Sequence, residues 1–115
     1  MHELSIAMSI VEMAEEESDQ RGGARVNAVH LKLGALAGVV KDALLSSYEM
    51  ACEGTRLQGS RLLIEEIPII VNCPKCVSPR TLYSPQWFIC PECRSPVSDV
   101  IQGRELQVFA LELQE

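Results

Sequence analysis

The chain is 115 residues long and 47% of them are hydrophobic, enough to bury the core of one small domain that carries an additional module. Its 10 basic and 16 acidic side chains give a formal charge of -6 at pH 7. An acidic surface repels phosphate backbones, so we expect no nucleic-acid partner. No apolar run reaches the ~18 residues of a membrane-spanning helix, so we expect no membrane partner either.

The amino-terminal stretch is apolar but differs from a secretion signal. It has no basic flank, and it runs directly into the acidic residues Glu15, Glu16 and Glu17. We therefore expect a helix of the mature protein at this end, and a cytoplasmic chain. In that compartment, paired cysteines are metal ligands more often than disulfides.

Hydrophobic periodicity predicts two helices and three strands. In the helical segments, apolar side chains recur every three or four residues, and glycines follow the last turn. In the strands, apolar and polar residues alternate, as expected when one side of a sheet is buried. The predicted elements are a helix over 4–20, a strand over 25–33, a helix over 41–53, and strands over 61–67 and 106–113.

We expect these elements to form an α/β fold in which two helices pack on a three-stranded mixed sheet. The order strand–helix–strand favours a right-handed parallel crossover. The segment before the last strand holds five of the six prolines and no regular apolar period, so it needs a cross-link, such as a bound metal ion, in order to fold. We expect an inserted, zinc-ribbon-like module at 71–99 and an α/β domain made of 1–70 plus 100–115.

Four cysteines in the inserted segment have the spacing of a tetrahedral metal site. Cys73 and Cys76 form one CxxC pair, Cys90 and Cys93 form another, and 13 residues separate the pairs. Two thiolates of one tight turn converge on a single ion, and a second turn completes the tetrahedron. No position remains for a substrate water, so the expected role is a structural zinc site that contributes folding energy.

The cysteine spacing by itself also fits other interpretations. An all-thiolate tetrahedron also suits iron, as in a rubredoxin-like electron carrier, and two disulfides would require an oxidising compartment. We expect Tyr83, Trp87 and Phe88 to cover the metal site. The fifth cysteine, Cys52, lies on the second predicted helix, where it is expected to be a small buried apolar residue and not a reactive thiol.

The second residue of the chain is a histidine, and its position allows a different kind of metal site. The amine of Met1 and the amide and imidazole nitrogens of His2 can form one small chelate, and the amide of Glu3 can close a square plane. Square-planar nitrogen coordination suits nickel(II) or copper(II) and not zinc. The competing interpretation is an ordinary frayed terminus. The other histidine, His30, is expected to be an ordinary strand residue.

The order of motifs along the chain resembles one family. The motifs are MHELS at 1–5, LKLGAL at 31–36, CEGT at 52–55, and the two CxxC pairs. Together they are similar to the HypA/HybF hydrogenase-maturation nickel metallochaperones. The resemblance covers essentially the whole chain, and a Met-His-Glu start joined to a downstream four-cysteine site is a specific combination.

The resemblance implies a nickel carrier and not an enzyme. In that family, nickel is bound at the amino terminus by the residues that correspond to Met1, His2 and Glu3, and the four cysteines hold a structural zinc ion. The implied partners are an accessory GTPase and the precursor of the nickel–iron hydrogenase large subunit. Some members also serve urease maturation, and weak homodimers occur in parts of the family.

The sequence departs from the common family pattern at Val40 and Ser46, where relatives often have an acidic and an aromatic residue. It also lacks histidines beside the CxxC pairs, so a pH-responsive zinc site is not expected. The main alternative is a zinc-ribbon adaptor of transcription or translation, but its basic surface would consist only of Lys75, Arg80 and Arg94. An enzyme is disfavoured because the four-thiolate site is closed.

Overall fold

The computed structural model describes residues 2–115, which contain two helices and six strands. β1 lies between β2 and β6 in a mixed three-stranded sheet, and β3 lies between β4 and β5 in a second sheet. None of the helices in this range is long and apolar enough to cross a membrane. The elements are α1 (Glu3–Gln20), β1 (Val26–Gly34), α2 (Lys41–Cys52), β2 (Arg61–Ile67), β3 (Ile69–Cys73), β4 (Ser78–Leu82), β5 (Asp99–Gln102) and β6 (Leu106–Leu113).

The predicted fold class is confirmed. Both predicted helices and all three predicted strands are present, with boundaries that differ by no more than one residue. The chain divides into two compact units. The first, here called the helical unit, contains the residues through Leu31 together with Gly38–Glu65 and Gln107–Glu115. The second, here called the cysteine unit, contains Lys32–Ala37 and Glu66–Leu106.

Helix α1 buries one face in the core of the helical unit. The buried apolar residues of that face follow the helical repeat, at spacings of three and four residues; they are Ala7, Ile10, Val11 and Ala14. Near the end of the helix, the buried hydroxyl of Ser18 donates a hydrogen bond to the backbone carbonyl of Ala24. Met8, which lies on another side, is 57% exposed, so the burial of α1 is restricted to one face.

Helix α2 supplies the other half of this core. Its buried side chains are spaced by four residues, so they form one stripe along the helix; they are Leu44, Tyr48 and Cys52. They belong to the same apolar cluster as the buried face of α1 and as Val26, Val29 and Leu31 of β1. Burial of this stripe packs the two helices against each other.

The cysteine unit is built on a second sheet that is not predicted from the sequence. β3 pairs with β4 in antiparallel register, with Cys73 opposite Ser78, and β5 pairs with the other edge of β3. Its core consists of Ile69, Val71, Leu82, Val97 and two of the cysteines, all nearly inaccessible to solvent. Strands of four or five residues are too short to display a reliable alternation of apolar and polar residues, so periodicity alone misses them.

The expectation that three aromatic residues cover the metal site is wrong for two of them. Phe88 packs against the core of the cysteine unit, but Tyr83 is 88% exposed and Trp87 is 66% exposed. Both rings instead line an open surface pocket, which Cys90 also lines, and they add nothing to the buried core of the cysteine unit.

Gly34, in the LKLGAL motif, is required by a close backbone approach. A Cβ atom at this position would lie 2.1 Å from the carbonyl oxygen of Gly103, a distance that atoms do not tolerate. The approach permits two hydrogen bonds, from Gly34 N–H to the Glu105 carbonyl and from Leu36 N–H to the Gly103 carbonyl, each 2.7 Å. The motif glycine therefore serves the backbone packing of the cysteine unit.

Candidate metal centre

Two tight turns of similar geometry present the four cysteines. Cys73 ends β3, and Cys76 lies in the turn that leads into β4; the second pair lies in a turn closed by a bridge between Ile89 and Pro96. Each turn has proline directly after its first cysteine, which fixes the φ angle that such turns need. The residues that follow the second cysteines, Val77 and Arg94, both have left-handed backbone, with φ of 53° and 63°.

The four Sγ atoms converge on one point. All four lie within 4.8 Å of one another, with 3.5 Å between Cys73 and Cys93 and 3.9 Å between Cys76 and Cys90. A disulfide requires about 2.05 Å between sulfurs, so the cysteines are not paired in that way. A tetrahedral ion with metal–sulfur bonds of about 2.3 Å places its ligands about 3.8 Å apart. The cluster therefore fits a single tetrahedral metal ion with every coordination position filled by protein.

The hydrogen-bonding environment of the cluster prepares part of it for metal binding. Hydrogen bonds from the side chain and backbone of Ser95 lower the pKa of Cys93 to about 6, and backbone N–H groups lower the pKa of Cys90. The hydrogen bond with Cys93, together with burial, raises the pKa of Cys76 to about 11. Four adjacent thiols do not all ionise by themselves, whereas a divalent cation favours all four thiolates.

From the sequence, Arg80 is expected only as part of a sparse basic surface. In the structure it lies beside the cysteine cluster. Hydrogen bonding to Cys76 and Cys90 raises the pKa of its guanidinium, so the charge of this group faces sulfur and not solvent alone. Its Nε atom is buried without a hydrogen-bond partner among residues 2–115. The only sequence signal is its position four residues after Cys76, on the strand that returns from the turn.

His2 and Glu3, two of the three residues predicted to bind nickel, lie at the start of α1, in the helical unit. Met1, predicted to bind nickel, lies outside the described residues. His2 is exposed and is the N-cap residue of α1, and its carbonyl accepts the first backbone hydrogen bond of the helix, from Ile6 at 3.2 Å. Glu3 begins the helix, and its carboxylate accepts a hydrogen bond of 3.1 Å from the Val40 N–H. That bond lowers the pKa of the Glu3 carboxyl.

The remaining candidate residues are not part of a metal cluster. His30 bonds through Nε2 to the carboxylate of Glu112 at 2.6 Å, as an ordinary strand histidine can. Cys52 is 3% exposed and burial raises the pKa of its thiol, which confirms the prediction of a small buried residue. Within residues 2–115, the four cysteines form the one group of three or more His, Cys, Asp or Glu side chains arranged for a metal ion.

A small α/β chain with a closed four-thiolate cluster fits the class of metal-binding proteins that hold a structural ion. The comparisons with known proteins narrow this class. Residues 1–113 match the family described as hydrogenase/urease nickel incorporation, metallochaperone, hypA. The chain therefore belongs to the HypA family of nickel metallochaperones for hydrogenase maturation.

Individual proteins that are similar to this chain are named as members of the same family. The hydrogenase maturation factor HypA of Chloroflexus aurantiacus is 51% identical over 112 residues, which cover 97% of this chain and 98% of the relative. That of Roseiflexus sp. is 48% identical over 115 residues, covering 100% and 94%. A solution structure of the Ni metallochaperone HypA from Helicobacter pylori shares the fold, with a TM-score of 0.64, 22% identity and coverage of 98% and 97%.

Proposed function

We propose that this chain carries nickel(II) at its amino terminus, on nitrogen ligands from Met1, His2 and Glu3, and that zinc occupies the four-cysteine cluster as a structural ion. The family and the names of its relatives support a role in nickel handling. The observation that carries the assignment of sites is the position of His2, which is exposed at the very start of α1. The cysteine cluster, by contrast, is closed.

A carrier must hold its cargo and also release it. A chelate at the end of a chain can be exchanged one ligand at a time, because the partner can approach from solvent. Two of the four cysteines are fully buried, and an ion held by four thiolates has no open position at which exchange could begin. The amino terminus is therefore the site suited to transfer, and the cluster is suited to retention.

The nitrogen chelate also fits the local backbone. The first helical hydrogen bond of α1 is donated by Ile6, so the amides of His2 and Glu3 precede the helical ladder. These amides can lose their protons to a metal without breaking a helical bond. Because the ligands must deprotonate, nickel affinity should fall in acid. A tag fused before Met1 should also weaken binding, since it removes the terminal amine.

We propose that the recipient is the precursor of the nickel–iron hydrogenase large subunit and that an accessory GTPase takes part in the transfer. The relatives' name, hydrogenase maturation factor, supports the first part, and the family description, which also names urease, makes urease maturation a second activity to assay. The exposed chelate and the absence of an open position on the cysteine cluster support a carrier over a catalyst. Reduced thiols are maintained in the cytoplasm, where we place this activity.

Complementation tests the proposed function. A bacterial host that lacks its own HypA is supplied with the untagged chain or with its His2→Ala or His30→Ala variant, and hydrogenase activity is measured at low nickel. We expect activity from the wild-type chain and from His30→Ala, and none from His2→Ala at equal protein level. Full activity from His2→Ala would overturn the proposal. Urease activity, measured in a host that has both enzymes, shows whether the same residue serves a second recipient.

A further inference from the structure

The amino-terminal end of α2 lacks the capping residues that helices commonly have. Its N-cap residue is Val40, whose hydrocarbon side chain accepts no hydrogen bond, and no side-chain cap is formed. The third helical residue, where Glu or Gln can reach back to the N-cap N–H, is Ala43. The acceptor comes instead from the other helix, since the Glu3 carboxylate receives the Val40 N–H at 3.1 Å.

Glu3 thus has two parts that point to different tasks. Its backbone nitrogen belongs to the first residue of α1 and donates no helical hydrogen bond, because the first such bond is donated by Ile6; the Glu3 N–H instead interacts with the carboxylate of its own side chain. Its side chain is occupied by the start of α2, where a negative charge is favoured by the helix dipole. Turning the carboxylate to a metal at the amino terminus would leave the Val40 N–H without this acceptor.

We propose that the Glu3 carboxylate is a positioning residue and not a nickel ligand: it ties the first turn of α1 to the Val40 N–H and so orients the Glu3 amide, which completes the nickel chelate. This inference rests on the proposed nickel function. Helix ends fray, and a chelate built on a fraying turn must be ordered when the metal binds. A bond to a second helix fixes that turn in advance, which raises affinity by preorganisation.

The two partners of this bond can be removed separately. Glu3→Ala removes the acceptor, whereas Glu3→Gln keeps an acceptor oxygen and removes the charge. Val40→Pro removes the donor and leaves Glu3 intact, and the φ of -82° at Val40 is close to the angle that proline imposes. Val40→Ala is the matched control, because it keeps the N–H and alters a side chain that is 63% exposed.

Nickel affinity of the untagged, zinc-loaded protein is measured by titration calorimetry for these four variants and for the double variant Glu3→Ala/Val40→Pro, after zinc content and helical circular dichroism show that each is folded. We expect Glu3→Ala and Val40→Pro to weaken binding by about tenfold, as for the loss of a group that orients a ligand. The double variant should be no weaker than either single one. Glu3→Gln and Val40→Ala should stay within about twofold of wild type.

The absorption spectrum of the bound nickel separates a positioning role from ligation. If the carboxylate only positions the chelate, the ligand-field bands at saturating nickel are the same in wild type, Glu3→Ala and Glu3→Gln. Wild-type affinity in Val40→Pro, or bands that shift in both Glu3 variants, would overturn this inference while leaving the nickel function intact. Undiminished nickel binding by His2→Ala would instead remove the proposed function, and this inference with it.

Discussion

Truncation of Leu44 to alanine should destabilise the helical unit strongly. Leu44 is 0% exposed and lies on the buried stripe of α2, in the apolar cluster shared with α1. The substitution removes three carbons, each contributing ~0.8 kcal/mol when buried, or about 2.4 kcal/mol in total. The cavity left between packed helices adds to this loss, so we expect a decrease of about 3 kcal/mol in the free energy of unfolding.

Urea denaturation followed by far-ultraviolet circular dichroism measures this change, because both helices belong to the helical unit. With an m-value of about 1.5 kcal/mol/M, the midpoint should fall by about 2 M. The matched control is Met50→Ala on the same helix, which alters a side chain that is 62% exposed and should change stability by less than about 0.5 kcal/mol. A loss of less than about 1 kcal/mol for Leu44→Ala, or equal losses for both variants, would refute the packing of α2 described above.

Three further results are expected. Cys76→Ser should lose zinc, measured by metal analysis, while Cys52→Ser keeps one zinc ion per chain; zinc retained by Cys76→Ser would contradict the assignment of the cluster. Tyr48→Phe should lose about 1 kcal/mol, measured by urea denaturation, because the hydroxyl bonds to Ser60 Oγ at 2.7 Å. Burial raises the pKa of Cys52, so the contribution of this thiol to the free energy of unfolding is fully present below the unfolded thiol's pKa of about 8.5 and is lost at higher pH. Urea denaturation at several pH values measures this loss. If the free energy of unfolding of Cys52→Ala falls equally steeply above that pH, another group is responsible.

The elements of the helical unit could be predicted because each of them carries a periodic pattern. Helices of 18 and 12 residues and strands of seven to nine residues repeat their apolar positions often enough for the type of each element to be recognised from the sequence. The spacing of the four cysteines was equally informative, since two CxxC turns constrain the ligand geometry locally. The structure brings those four sulfurs together as predicted.

The features that could not be predicted depend on contacts between distant residues or on competition for a small volume. β5 has four residues and β3 and β4 have five, and their core includes metal ligands, so no apolar alternation reveals them. Nothing in the local sequence indicates that Trp87 points to solvent. The bond between Glu3 and Val40 joins residues 37 positions apart, and a cap supplied by another helix leaves no local motif.

The central proposal is that nickel binds at the amino terminus and that a structural zinc ion binds in the cysteine cluster. It is tested most directly by counting the metal ions bound per chain. The untagged wild-type chain and its His2→Ala and His30→Ala variants are dialysed against nickel(II), and nickel and zinc per chain are determined by elemental analysis. We predict one zinc ion in all three proteins, and one nickel ion in wild type and in His30→Ala but none in His2→Ala. Undiminished nickel in His2→Ala would contradict the assignment of nickel to the amino terminus.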